Sequence, residues 1–241
     1  MPKIKILFFL LSISFTYGQN YKILKPVLGS ENNYSKQEYE YWRSAIDSLI
    51  LSNDFEKNIN YSVMSEKTKK AIDSLEMGDG PLTQTVGCSW YCGGGPYKTS
   101  ASSILKNNPH YSDNNIHDFD ILTPWSPKTK NGIGESISFY FEPKSPRITA
   151  IIIYNGYIKT KELWENNSRA KKIKLKINNK AIAILDLEDT TASQRFEIEP
   201  IQSEIKGVDL ILTLEILESY EGKKYKDLVI SEVNFDGIDV H

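Results

Sequence analysis

The chain is poor in sulfur and has no excess of either charge. Its 241 residues include two cysteines, three methionines and three histidines, and 29 basic side chains stand against 31 acidic ones for a formal net charge of -2. Near-neutrality removes the long-range pull that nucleic acid or an anionic membrane exerts on a basic protein, so no nucleic-acid partner is expected. Long apolar runs are also missing. The stretch at residues 6–15 is about ten residues long against the ~20 needed to span a bilayer as a helix, and no later stretch exceeds it, so no integral membrane segment is expected. His110, His117 and His241 are too scattered to complete a tetrahedral metal set with the cysteines. No nucleophile elbow, phosphate loop or metalloprotease helix occurs. A non-catalytic protein is therefore expected.

What is present at the start has a three-part plan: Lys3 and Lys5, the short apolar stretch, then small and polar residues up to Gly18. This is the pattern of a secretory signal, so residues 1–18 are expected to be removed and the product to be secreted or periplasmic. In an oxidising compartment Cys88 and Cys92, in GCSWYCGGGPY, are expected to form a disulfide. The alternative for the pair is half of a metal site.

Ser35 and Glu38 make a capping box, and Tyr39, Trp42, Ile46, Leu49 and Ile50 follow at helical spacing. A second helix is expected over residues 65–77, stopped by Gly78. With the linker at 78–84, residues 19–87 read as a short helical segment, a candidate surface for a protein partner. From residue 97 the period changes to two. Strands are expected at 137–141, 148–154, 173–177, 181–187, 194–199, 208–219 and 228–235, with Asn178-Asn179 as a tight hairpin turn. The class is mainly β: an antiparallel sandwich or jelly roll behind a two-helix segment.

Between the helices and the strands lies YSDNNIHDFDILTPW. Asp118, Asp120 and Thr123 place hard oxygens within a few residues of each other, which suits calcium. An Asx-rich turn capping its own backbone is the equal alternative. Trp125 is expected in the core.

The order SSILKNNPHYSDNNIHDFDILTPW, GIGESISFYF, NGYIKTKELWENNSRAKKIKLKIN, LEDTTASQRFEI and SYEGKKYKDLVISEVNF resembles the discoidin-like (coagulation factor V/VIII type C) domain, in the branch of NAD glycohydrolase translocation, or NADase-type glycan-binding, domains. The resemblance covers residues 98–241, within a discoidin-like domain drawn from 88 to 241. It implies a galactose-binding-like jelly roll that binds carbohydrate and holds a structural calcium. The implied ligands are Asp118, Asp120 and Thr123, carbonyls around Asn115 and Ile121, and Glu232. Where the family has Gly after the Asp this chain has Phe119, which is strained if that position needs positive φ. The NAD-cleaving activity implied by the name belongs to a separate domain.

Sugar sites pair an aromatic platform with planar polar grips. Asn155, Tyr157, Lys159, Trp164, Asn167 and Arg169 cluster in one expected loop, and Tyr220, Lys224 and Tyr225 in another. The bland alternatives are Trp164 as a core plug, Arg169 paired with an acid such as Glu165, and Asn155-Gly156 as a turn. The Lys172, Lys174, Lys176 stripe reads as the solvated face of a strand. The expectation is a secreted glycan-binding module; the alternative is a protein–protein interaction domain associated with the envelope or an effector.

Overall fold

The computed structural model of the protein describes residues 21–32, 88–91 and 93–239, together with Gln37, Glu40, Ser62, Ser65, Glu66 and Lys69. The expected signal segment, the two helices, the linker and the Cys88–Cys92 bridge lie outside the described residues. Among those described, no helix is long and apolar enough to cross a membrane.

In chain order the elements are β1 (Lys22–Leu24), β2 (Val27–Leu28), α1 (Cys88–Tyr91), β3 (Lys98–Ala101), β4 (Ser136–Phe141), β5 (Ile148–Asn155), α2 (Lys161–Asn166), β6 (Arg169–Ile177), β7 (Lys180–Asp186), β8 (Gln194–Ile201), β9 (Leu210–Tyr220) and β10 (Ile230–Gly237). Two sheets form, ordered β1-β7-β6-β9-β4-β3 and β10-β5-β8-β2. Except for β1, every paired strand runs antiparallel to its neighbours. The seven strands expected from alternation are all present as β4 to β10. Their apolar positions face one interior: Ile137, Phe139 and Phe141 of β4, Ile151 and Ile153 of β5, Ile173 and Leu175 of β6, Leu212 and Leu214 of β9, and Phe235 of β10 are wholly buried. Each such side chain contributes about 1.5–3 kcal/mol on leaving water. Trp125 is buried as expected, with its indole N–H on the Ser103 carbonyl at 3.1 Å.

The hairpin between β6 and β7 turns on Asn178 (φ 46°) and Asn179 (φ 68°), both left-handed as a type I′ turn requires. The lysine stripe on β6 is not bare. Lys172 meets Glu218 at 2.7 Å and Lys174 meets Glu215 at 3.1 Å, with Lys171 and Lys176 on the same two acids.

Three differences from the sequence reading follow from chain length. Residues 22–28, assigned to the helical segment, are strands: β1 lies parallel to β7 and β2 antiparallel to β8, so the sandwich begins before residue 88. The loop between β5 and β6 contains the helix α2, whose Thr160 hydroxyl caps the Leu163 N–H at 3.1 Å. β3 adds a sheet edge beside β4. All of these are too short to display a period.

Candidate functional site

The register puts Arg169 opposite Tyr220 and Ile177 opposite Leu212, so the two candidate sugar loops leave the sandwich at the same end. They pack on each other: the N–H groups of Lys223 and Tyr225 donate to the Glu165 and Asn166 carbonyls at 2.9 and 2.7 Å. A Cβ on Gly222 would sit 2.4 Å from the Asn166 carbonyl oxygen, so this approach needs glycine.

Several predicted sugar grips are consumed inside that packing. Asn155 is wholly buried, its amide giving 2.7 Å to the Ala170 carbonyl and receiving the Ala170 N–H at 3.0 Å. Asn167 is buried and closes α2 on the Leu163 carbonyl at 2.8 Å. Arg169 is 5% exposed. Its Nε and Nη2 reach the two carboxylate oxygens of Asp189 at 2.6 and 3.0 Å, and Nη1 reaches the Trp164 and Asn167 carbonyls at 2.9 and 2.7 Å. The expected acid was Glu165, which instead pairs with Lys223 at 2.6 Å. Trp164 carries the Arg169 guanidinium 4.3 Å from its ring centroid and gives its indole N–H to the Asn155 carbonyl at 3.0 Å. Against it lies Gly156 at φ +90°, where a Cβ would sit 2.6 Å from the indole. Trp164 is half-buried and outside the core, and its cation partner is internal. Asp189, a partner twenty residues from Arg169, had no local sequence signal.

The remaining candidates are at the surface. Tyr225 is 41% exposed, with Lys224 Nζ 5.1 Å from its ring. Tyr220 is half-buried and its hydroxyl donates to the Leu187 carbonyl at 3.0 Å. Tyr157 and Lys159 are half-buried on the way from β5 to α2. A groove of about 430 Å³ lies at the opposite end, between Ile177, Ile182 and Ile201, and its lining has no aromatic face.

The oxygen-rich loop sits elsewhere, against β10. Asp118 accepts the Asp120 N–H at 2.9 Å and the Thr123 hydroxyl at 2.7 Å, while Asp120 accepts the Leu122 N–H at 3.0 Å. This is the self-capping turn. It also brings Asp118 to Glu232, which is wholly buried with one carboxylate oxygen lacking a hydrogen-bond partner among the described residues. Burial, and then the charge of Asp118, hold the Glu232 carboxyl well above the usual carboxylate range; partial desolvation raises Asp118 too. His117 Nδ1 stands 3.7 Å from a Glu232 carboxylate oxygen and 2.8 Å from the Val233 carbonyl, and burial lowers the imidazole to about 4. One buried carboxylate with an orphaned oxygen, beside the exposed carboxylate of Asp118 and a histidine that burial holds neutral, fits a hard cation. The predicted convergence is only partial: no three His, Cys, Asp or Glu side chains gather among the described residues. Asp120 and Thr123 shape the loop around the Asp118–Glu232 pair.

Phe119 has the positive φ feared from its sequence, 62°, and is 43% exposed, edge-on to Tyr91 at 5.1 Å. Left-handed backbone costs a side-chain-bearing residue about 1–2 kcal/mol. Phe119→Gly should therefore unfold at higher urea than Phe119→Ala by an equivalent of about 1–2 kcal/mol, since both variants lose the ring contacts and only glycine sheds the strain. Equal midpoints would exclude the strain.

A family model described as the NAD glycohydrolase translocation F5/8 type C domain matches residues 90–236. No curated protein matches the chain. Among solved structures, the family 32 carbohydrate-binding module of Clostridium perfringens NanJ, in complex with galactose, is 20% identical, covers 57% of this chain and 91% of its own, and has a TM-score of 0.41. The family 32 module of Streptococcus pneumoniae EndoD is 11% identical over 60% of this chain and 99% of its own, at TM-score 0.45. Two such modules and the M60 catalytic domain of Clostridium perfringens ZmpB match at 12% identity and TM-score 0.42 over 61% of this chain, which spans only 15% of that longer one.

Proposed function

The chain belongs to the NAD glycohydrolase translocation F5/8 type C domain family, and from that membership we propose that it is an exported, non-catalytic carbohydrate-binding module. The reading rests on one observation above the rest: the loops of one end converge and leave Tyr225 exposed there with Lys224 against its ring, while Tyr157, Lys159 and Tyr220 are half-buried at the same end. An exposed ring offers the apolar face that sugar C–H groups stack on, and the amines around it donate to hydroxyls. Asn155, Asn167, Trp164 and Arg169 serve the site by holding the loops in place. The matched family region is a translocation domain, so the enzymatic part of its name is not carried over.

Calcium is proposed at the Asp118–Glu232 pair, where it supplies the missing counter-charge, with Asp120 and Thr123 fixing the loop. A Cys88–Cys92 disulfide is proposed as a local clamp in the exported protein.

The test is a glycan array run with and without chelator. Tyr225→Ala and Tyr157→Ala should each weaken the best hit by about 1–3 kcal/mol, the worth of one large buried side chain, with the melting temperature retained. Binding that survives both substitutions together sinks the site, and an array without hits sinks the function.

A further inference from the structure

The lysines of β6 are neutralised: Lys171, Lys172, Lys174 and Lys176 share Glu215 and Glu218. Four at the Tyr225 rim are not. Lys128, Lys130, Lys224 and Lys226 are exposed, and none has a carboxylate within ion-pair distance among the described residues.

Two of the four come from a third loop that the sequence did not connect with the site. The Asn131 N–H donates to the Lys226 carbonyl at 2.6 Å and the Ser126 hydroxyl to the Leu228 carbonyl at 2.7 Å. Gly132, at φ +65°, lets this segment close on Leu228, where a Cβ would be 3.0 Å from that side chain. Residues 126–132 are thereby laid along 226–228, which brings the segment carrying Lys128 and Lys130 beside the one carrying Lys224, Tyr225 and Lys226, with Lys224 Nζ 5.1 Å from the Tyr225 ring. Glu165 does not offset them, being taken by Lys223. Glu162, Glu221 and Asp227 are the other acids on these loops. In a chain with net charge -2, these three loops carry more lysines than acids beside one exposed aromatic, a local excess of the opposite sign.

We propose that the ligand of this rim is an anionic glycan, one bearing carboxylate or sulfate groups, with a sugar ring against Tyr225 and the charged groups facing Lys128, Lys130 and Lys226. The assignment rests on the glycan-binding reading above and narrows its ligand class. The ammonium groups act as point charges that accept either anion, and their exposure makes binding sensitive to salt.

The experiment titrates the full chain with three probes: a sulfated chondroitin oligosaccharide, the same oligosaccharide desulfated so that only carboxylates remain, and neutral N-acetyllactosamine. Phosphatidylserine vesicles form a fourth arm. At least one charged oligosaccharide is expected to bind on the order of tenfold tighter than the neutral probe, and to weaken as sodium chloride rises through the physiological range. The two charged probes tell sulfate from carboxylate. Combined Lys128→Glu, Lys130→Glu and Lys226→Glu should lower that affinity by on the order of tenfold without moving the melting temperature, while Lys206→Glu at the far end leaves it unchanged. Equal or tighter, salt-independent binding of the neutral probe overturns the anionic assignment and leaves the glycan reading standing. Vesicle binding without oligosaccharide binding overturns both. So does binding of none of these probes together with an array without hits.

Discussion

Arg169→Ala should be the most damaging single change at the rim, costing roughly 2–4 kcal/mol of folding stability in urea unfolding. The substitution removes a bidentate partner from Asp189 and strips donors from two carbonyls, those of Trp164 and Asn167, that hold the end of α2 against β6. It also leaves the Trp164 ring facing a void where the guanidinium lay. Arg169→Lys should recover little, because a single ammonium cannot span the carboxylate fork and both carbonyls at once. Lys223→Ala, which breaks the exposed Lys223–Glu165 pair, is the control and should change little, and less still at high salt. Sugar affinity in Arg169→Ala should fall together with the fold. A stable Arg169→Ala protein that has lost binding would return Arg169 to direct contact with ligand.

Calcium at about a hundred times its dissociation constant should raise the melting temperature by roughly 5–10 °C, the equivalent of about 2.7 kcal/mol in a chain of this size. The reason is Glu232, buried beside the exposed Asp118 with one carboxylate oxygen lacking a hydrogen-bond partner among the described residues. Without a cation the fold favours a protonated Glu232. A carboxyl whose folded-state value is raised binds more protons folded than unfolded, so its share of stability is fully present below the ordinary glutamate value of 4.5 and is lost as pH climbs toward the raised one. Glu232→Gln should flatten that decline at neutral pH and abolish the calcium response together. An unchanged melting temperature with calcium, or a calcium response that persists in Glu232→Gln, would leave the loop as a self-capped turn and nothing more.

The strands were legible because their side chains alternate where one face is buried. Ile137, Phe139 and Phe141 state a two-residue period, and Asn178-Asn179 states the turn that the observed left-handed φ values require. β1, β2 and α2 were not legible, being two to six residues long; β1 and β2 are also largely exposed, so their place is set by the neighbour they meet and not by their own pattern. At the proposed site, residue type misjudged which side chains reach solvent. Asn155, Asn167 and Arg169 have the chemistry of sugar grips, yet the chain spends that chemistry on its own backbone and on Asp189, a choice visible only once β6 and the loop after β7 are adjacent. The lysines at 128 and 130 lie far in sequence from Tyr225, and no local spacing links them to it.

The pairing of β1 with β7 and of β2 with β8 has a consequence for solution behaviour. An open sandwich ends in strands whose unpaired N–H and C=O groups can template further chains. Residues 22–28 lie along those borders of both sheets, parallel on one and antiparallel on the other, with Lys25 ion-paired to Asp186 between them. The two sheets thus end on this side in a selvedge of three and two residues, a margin too short to give another chain much length to pair with.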